Sequence, residues 1–132
     1  MRISGRIGVG VTILAAAMAF SASAQAEGLA GTYRGNVTLL FSDSHIENEG
    51  MVLKLTQEDG RLAGTAGPSA EQQSPVTHLS AGRKLQFDTD ADGSRPLHYD
   101  LSRYGAQWRG DVNGKVAGHS VEGRIMLLRD PD

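Results

Sequence analysis

The stretch Leu97-His98-Tyr99-Asp100-Leu101-Ser102 alternates apolar and polar side chains without a break. Successive strand residues point to opposite faces, so Leu97, Tyr99 and Leu101 share a dry side and His98, Asp100 and Ser102 a wet one. The same period of two recurs on both sides of it. Met51, Leu53 and Leu55 oppose Lys54 and Thr56. Leu85 and Phe87 oppose Lys84 and Gln86, and Val121, Ile125 and Leu127 oppose Glu122 and Arg124. Turn residues punctuate these runs at Glu58-Asp59-Gly60, Gly67-Pro68-Ser69, Ala81-Gly82, Asp92-Gly93, Tyr104-Gly105 and Asn113-Gly114. Alternation bounded by turns marks half-buried antiparallel strands.

The spacing predicts eight strands, near residues 30–41, 50–57, 61–66, 75–81, 84–89, 96–102, 105–112 and 118–129. Asn113-Gly114 reads as a type I′ hairpin turn. Residues 42–49 and 68–74 read as the longest polar loops, and no helical repeat stands out beyond one turn near 69–73. Short connections make sequence neighbours sheet neighbours. The fold class is therefore all-β, an eight-stranded antiparallel up-and-down barrel. Pairing the first strand with the last removes exposed edges. Gly31, Gly35, Gly64, Gly110 and Gly123 sit inside strands and allow tight coiling.

The N-terminus reads as an export signal. Arg2 and Arg6 precede an apolar run from Ile7 to Phe20, and Ala22-Ser23-Ala24 and Ala24-Gln25-Ala26 are small-x-small cleavage sites. Cleavage after Ala26 is expected, with residues 1–26 as signal peptide and 27–132 as one domain. The chain has no cysteine, which excludes lipidation at the cleavage site and any disulfide. Residues 27–132 carry eleven Lys and Arg against fifteen Asp and Glu, a net charge of −4. That balance speaks against a nucleic-acid footprint. The expected location is the bacterial periplasm or the medium, with no membrane span left after cleavage.

Two stretches carry a resemblance. Leu29-Ala30-Gly31-Thr32-Tyr33-Arg34-Gly35 resembles the Gly-Thr-Trp/Tyr entry strand of calycin-type barrels: lipocalins, fatty-acid-binding proteins and avidins. The segment from Leu53 to Pro68, a strand, a glycine turn and then Leu62-Ala63-Gly64-Thr65, resembles a hairpin common in secreted bacterial proteins of this size. The resemblance implies a calycin-like barrel fold, and a fold does not fix a function. Avidins hold biotin with several tryptophans, whereas Trp108 is alone here. Bacterial inhibitors of secreted metalloproteases are similar in length and in the Leu127-Leu128-Arg129 ending, but that family's disulfide is missing.

Chemistry-bearing motifs are sparse. Asp88-Thr89-Asp90-Ala91-Asp92-Gly93 has the alternating carboxylates of half a calcium loop, so Asp88, Asp90 and Asp92 are the candidate calcium ligands. Pro96 and Tyr99 stand where further ligands belong, and an acidic turn explains the run as well. No other cofactor is expected. His45, His78, His98 and His119 show no metal-ligand spacing. Asp43-Ser44-His45 has the residue types of a hydrolase triad, but neighbours in one loop rarely line up as one. Gly110–Lys115 falls one residue short of a phosphate loop. The expectation is a non-enzyme.

Two candidate surfaces remain. Tyr33, Leu53, Phe87, Tyr99 and Trp108 belong to the inward set and would line a ligand site inside the barrel. Leu40, Met126 and Leu128 fall on the opposite face of the closing strands and would form an apolar interface. The expected function is an exported binding module for a small molecule or an envelope protein. The alternative is a protease-inhibitor-like module acting through its N-terminal segment or rim loops.

Overall fold

The computed structural model describes residues 28–91 and 93–131, so the expected signal peptide lies outside the described residues. Among the described residues nine strands form one antiparallel sheet: β1 (Gly31–Phe41), β2 (Ile46–Glu58), β3 (Arg61–Gly67), β4 (Ser74–Pro75), β5 (Thr77–Ala81), β6 (Lys84–Ala91), β7 (Arg95–Tyr104), β8 (Gln107–Val116) and β9 (His119–Arg129). Their order in the sheet is β4-β3-β2-β1-β9-β8-β7-β6-β5. The first and last strands pair as expected, from Tyr33 opposite Arg129 to Phe41 opposite Val121. Among the described residues no helix is long and apolar enough to cross a membrane.

The two ends of the sheet meet at one segment. Residues 75–81, expected as one strand, divide their pairing: Pro75, with Ser74 before it, pairs with β3, and Thr77, Ser80 and Ala81 pair with β6. Between them the Val76 amide donates to the Gly64 carbonyl at 3.0 Å. A register shift occurs between Thr77 and Ser80, and His78 takes a positive φ of 53°. Such a bulge swings the strand away from one neighbour and toward the other. The barrel is thus nearly closed, with its seam between β3 and β5.

Two expected loops are strand instead. Residues 46–49 belong to β2, pairing with Val37–Leu40, and only residues 42–45 turn. Asn113-Gly114 is not a hairpin turn; Asn113 pairs with both His98 and Glu122, and Gly114 with Leu97 and Val121. Glycine is required at 114 for another reason: φ is +154°, and a Cβ would lie 2.0 Å from the Pro96 carbonyl oxygen. The reversal falls at Ala117 and Gly118, with φ of 51° and 83°. Two successive positive φ values suit the right-handed twist of a tight hairpin.

The interior is packed with side chains. Phe87, Leu39, Leu53, Leu85, Leu101 and Leu127 are among the fully buried ones. Phe87 stacks on its cross-strand partner Tyr99, with centroids 4.6 Å apart and planes 13° apart. Each such side chain removed from water contributes roughly 1.5–3 kcal/mol. Both mouths are covered. At one, Arg95 of β7 donates to Glu49 of β2 at 2.6 Å. At the other, Leu29 is buried, the Tyr33 hydroxyl donates to the Leu29 carbonyl at 2.7 Å, and Arg129 donates to the Gly28 and Ala30 carbonyls.

Candidate functional site on the outer saddle

The five residues expected to line an internal site, Tyr33, Leu53, Phe87, Tyr99 and Trp108, do face inward. They are nearly inaccessible, from 0% to 3% exposed, and belong to one packed cluster. Burial raises the pKa of both the Tyr33 and the Tyr99 hydroxyl, in each case against smaller opposing effects. These groups act as core.

The outer face is hollowed. A small barrel is pinched at its waist because its strands tilt and coil. Glycines deepen that bend where strands approach closely. At Gly110 a Cβ would meet the Asp100 carbonyl oxygen at 1.9 Å. The resulting trough, of about 600 Å³, runs across β6, β7, β8, β9 and β1. Its floor is laid out by the pairing register. Gln86 stands opposite Asp100, Asp100 opposite Asp111, Asp111 opposite Arg124, and Arg124 opposite Thr38. Thr38 donates to Asn48, its partner on β2, at 2.7 Å.

The charges in this row are arranged in pairs. Facing carboxylates on neighbouring strands repel. Lys84 lies 3.1 Å from Asp100, and Arg124 lies 3.5 Å from Asp111. The Arg124 pair is highly exposed and contributes little to stability. One row further along the strands, Arg109 lies opposite Ser102 and Met126. Its guanidinium sits 4.4 Å over the Tyr104 ring and makes no ion pair among the described residues. The trough therefore holds three cations and two anions, with one cation spare.

The expected interface residues Leu40, Met126 and Leu128 all face outward, at 44%, 37% and 44% exposure. They do not form one stripe. Thr38 and Arg124 separate Leu40 from Met126 in the register. Leu40 instead pairs with exposed Ile46, whereas Met126 lies with Tyr104 at the Arg109 corner and Leu128 pairs with Gln107 one row further along.

Three polar clusters lie elsewhere. Asp88 joins two histidines: His98 Nδ1 lies 2.5 Å from one carboxylate oxygen and His78 Nδ1 2.8 Å from the other. Partial burial works against the Asp88 carboxylate, but those two hydrogen bonds outweigh it and hold its pKa below the usual value. Of the candidate calcium ligands, Asp88 is thus engaged by imidazoles, Asp90 sits opposite Pro96, and Asp92 lies outside the described residues. Among the described residues no group of three His, Asp or Glu is placed to hold a metal ion. In the first turn, His45 stacks on Phe41 at 4.1 Å, with Nδ1 2.6 Å from Asp43 and Nε2 3.2 Å from Glu47. Both ring nitrogens face carboxylates rather than a serine hydroxyl. Hydrogen bonds from the His45 amide and ring lower the Asp43 pKa, and Asp43 and then Glu47 raise that of His45. The third cluster folds residues 69–73 over the outside of β2, where Gln73 donates to the Val52 and Ser69 carbonyls.

The sequence reading missed the saddle. Asp100, Asp111 and Arg124 are outward residues of three separate strands, and only their register brings them into one row.

The sequence matches no protein-family model and no curated protein. Two solved structures are similar in shape. One is a protein of unknown function from the DUF3598 family of Nostoc punctiforme PCC 73102, with a TM-score of 0.46 and 16% identity over 80% of this chain. This chain spans about half of that protein, 49% of its length. The other is a redesigned β-barrel, with a TM-score of 0.42 and 20% identity, covering 81% of this chain and 96% of the design.

Proposed function

We propose that this chain is an exported binding module that works through its outer saddle rather than its interior. The observation carrying the reading is the contrast between a packed, capped barrel and a trough of about 600 Å³ on the outside. That volume lies within the range of small-ligand sites. Its lining offers hydroxyls, amides, both signs of charge and exposed apolar groups, which suits binding of a mixed polar and apolar ligand. Export is supported by the Arg2 and Arg6 head, the apolar run to Phe20 and the Ala-x-Ala sites. The calycin-like entry strand agrees with a binding role but does not choose the ligand.

A small-molecule screen read by amide chemical shifts tests the site. Ligands should move resonances of Lys84, Ser102, Arg109 and Met126. Ligands that instead move the Trp108 indole and Phe87 would sink the outer-face reading. N-terminal sequencing of protein recovered from expressing cells tests export: a start at Glu27 supports it, and an uncut cytoplasmic chain refutes it.

A second reading is a protein-interaction module. The adjacent, exposed Leu40 and Ile46 favour it, since paired apolar groups on an outer sheet face suit a partner surface.

A further inference from the structure

We infer that the Arg109 corner of the trough receives the free C-terminal carboxylate of a short peptide whose last side chain is apolar. The inference rests on the outer-saddle reading and specifies its ligand.

Three observations converge on this chemistry. The first is the charge count. Lys84 and Arg124 are engaged by Asp100 and Asp111, whereas Arg109 has only the Tyr104 ring as a partner among the described residues. A single spare guanidinium matches a monoanion. The neighbouring Asp100 and Asp111 disfavour a phosphate dianion, which would bring a second negative charge beside them. Stacking on Tyr104 also holds the guanidinium in place, which lowers the entropy lost when its fork grips a carboxylate.

The second observation is where the apolar groups lie. Five large apolar side chains are exposed among the described residues; Tyr104 and Met126 adjoin Arg109, and Leu128 lies one row further along the strands. Met126 is the direct cross-strand partner of Arg109, and Leu128 that of Gln107, whose other cross-strand partner is Tyr104. A carboxylate and an apolar side chain on one carbon, as at a peptide C-terminus, would engage both features at once.

The third observation is the chemistry of the remaining trough. Beyond Arg109 lie Ser102, Asn36 and the Asp111–Arg124 row. Hydroxyls, amides and paired charges satisfy the alternating donors and acceptors of a peptide backbone. A bare alkyl chain would leave those groups desolvated and unpaired.

The probes are acetyl-Ala-Ala-Phe with a free carboxylate and the same peptide as its C-terminal amide. Each is titrated into isotope-labelled protein recovered from cells expressing the whole chain. The acid should bind roughly tenfold more tightly than the amide, the worth of one charge-assisted pair. It should move resonances of Ser102, Tyr104, Arg109 and Met126. Arg109→Gln should erase the difference between acid and amide, and Arg109→Lys should restore part of it. Arg61→Gln, on a distant strand, should leave both affinities unchanged. Retained amide-shift dispersion shows that each variant is folded. Equal binding of acid and amide within the trough overturns the carboxylate inference and leaves the saddle reading standing. So does an acid preference that survives Arg109→Gln. No response to either peptide also overturns the inference. Shifts confined to Trp108 and Phe87 overturn both.

Discussion

The amide of Val76 donates to the carbonyl of Gly64 at 3.0 Å, and this bond joins the two ends of the sheet. Beyond it, β5 turns toward β6, and Arg61–Ala63 of β3 pair with β2 alone among the described residues. Val76→Pro deletes the donor. It should lower unfolding free energy by about 0.5–1.5 kcal/mol, the net worth of one hydrogen bond, because both residues are only half-buried. Urea denaturation measures that loss. Hydrogen exchange should quicken at β5 amides while those between β8 and β9 stay protected. Uniform acceleration across the barrel would show that the seam has no local freedom.

Gly110 sets the approach of β7 and β8. A methyl group there would meet the Asp100 carbonyl oxygen at 1.9 Å and the Leu101 Cα at 2.6 Å. Backbone cannot step aside as a flexible side chain can. Gly110→Ala should cost at least about 1–3 kcal/mol, the typical penalty of overpacking. Gly82→Ala is the control, with nothing within 4 Å of the added carbon. Its effect should stay within about 0.5 kcal/mol. Thermal melts of both variants provide the comparison.

Two ionisable clusters give opposite pH dependences. Asp88 has a lowered pKa in the folded chain, so its contribution is present above the unfolded value near 4 and fades as pH falls through the folded one. Asp88→Asn should remove that acid-side slope. His45 has a raised pKa, so its contribution is complete below the unfolded value near 6.5 and is lost as pH rises through the folded one. Asp43→Asn should bring the His45 titration down toward the unfolded value. Proton shifts of the His45 ring, tracked from acid to alkaline pH, report it directly. An unchanged midpoint would mean that Asp43 does not hold the ring in solution.

Arg95 and Glu49 close one mouth of the barrel at 2.6 Å, each about one-third exposed. The contact raises the Arg95 pKa, chiefly through the hydrogen bond to Glu49. Arg95→Met should cost about 1–2 kcal/mol, toward the low end for a charged hydrogen bond because water reaches both groups. Glu49→Gln should cost less, since an amide oxygen still accepts. Chemical denaturation of the two variants at one pH distinguishes these outcomes.

The fold was legible because parity is a local signal. Leu97, Tyr99 and Leu101 announce a buried face within six residues, and β7 carries that alternation in the structure. Turn chemistry was less faithful. Asn113-Gly114 has the composition of a hairpin, yet its glycine serves a close strand approach, and the same residue type answers both needs. Residues 46–49 read as loop because Glu47, Asn48 and Glu49 are polar and the one apolar residue, Ile46, is exposed, so the alternation that reveals a strand is absent. The saddle was illegible for a different reason. Its charged row depends on three successive registers, and a shift of one residue in any of them would turn its members inward. The joining of His78 and His98 on Asp88 is also non-local, each ring being ten residues away in opposite directions.

Because β1 lies beside β9, both ends of the described chain sit in the middle of the sheet, and the Asp130 amide donates to the Thr32 carbonyl at 2.7 Å. The physical break in the hydrogen-bonded wall is elsewhere, between Arg61–Ala63 of β3 and β5. A circular permutant exploits this mismatch. Joining residue 130 to residue 30 through a short linker and opening the chain within residues 69–73 would move the covalent ends to the existing discontinuity. Chain order would then run β4 to β9 and on through β1 to β3, tracing the wall from one side of its gap to the other.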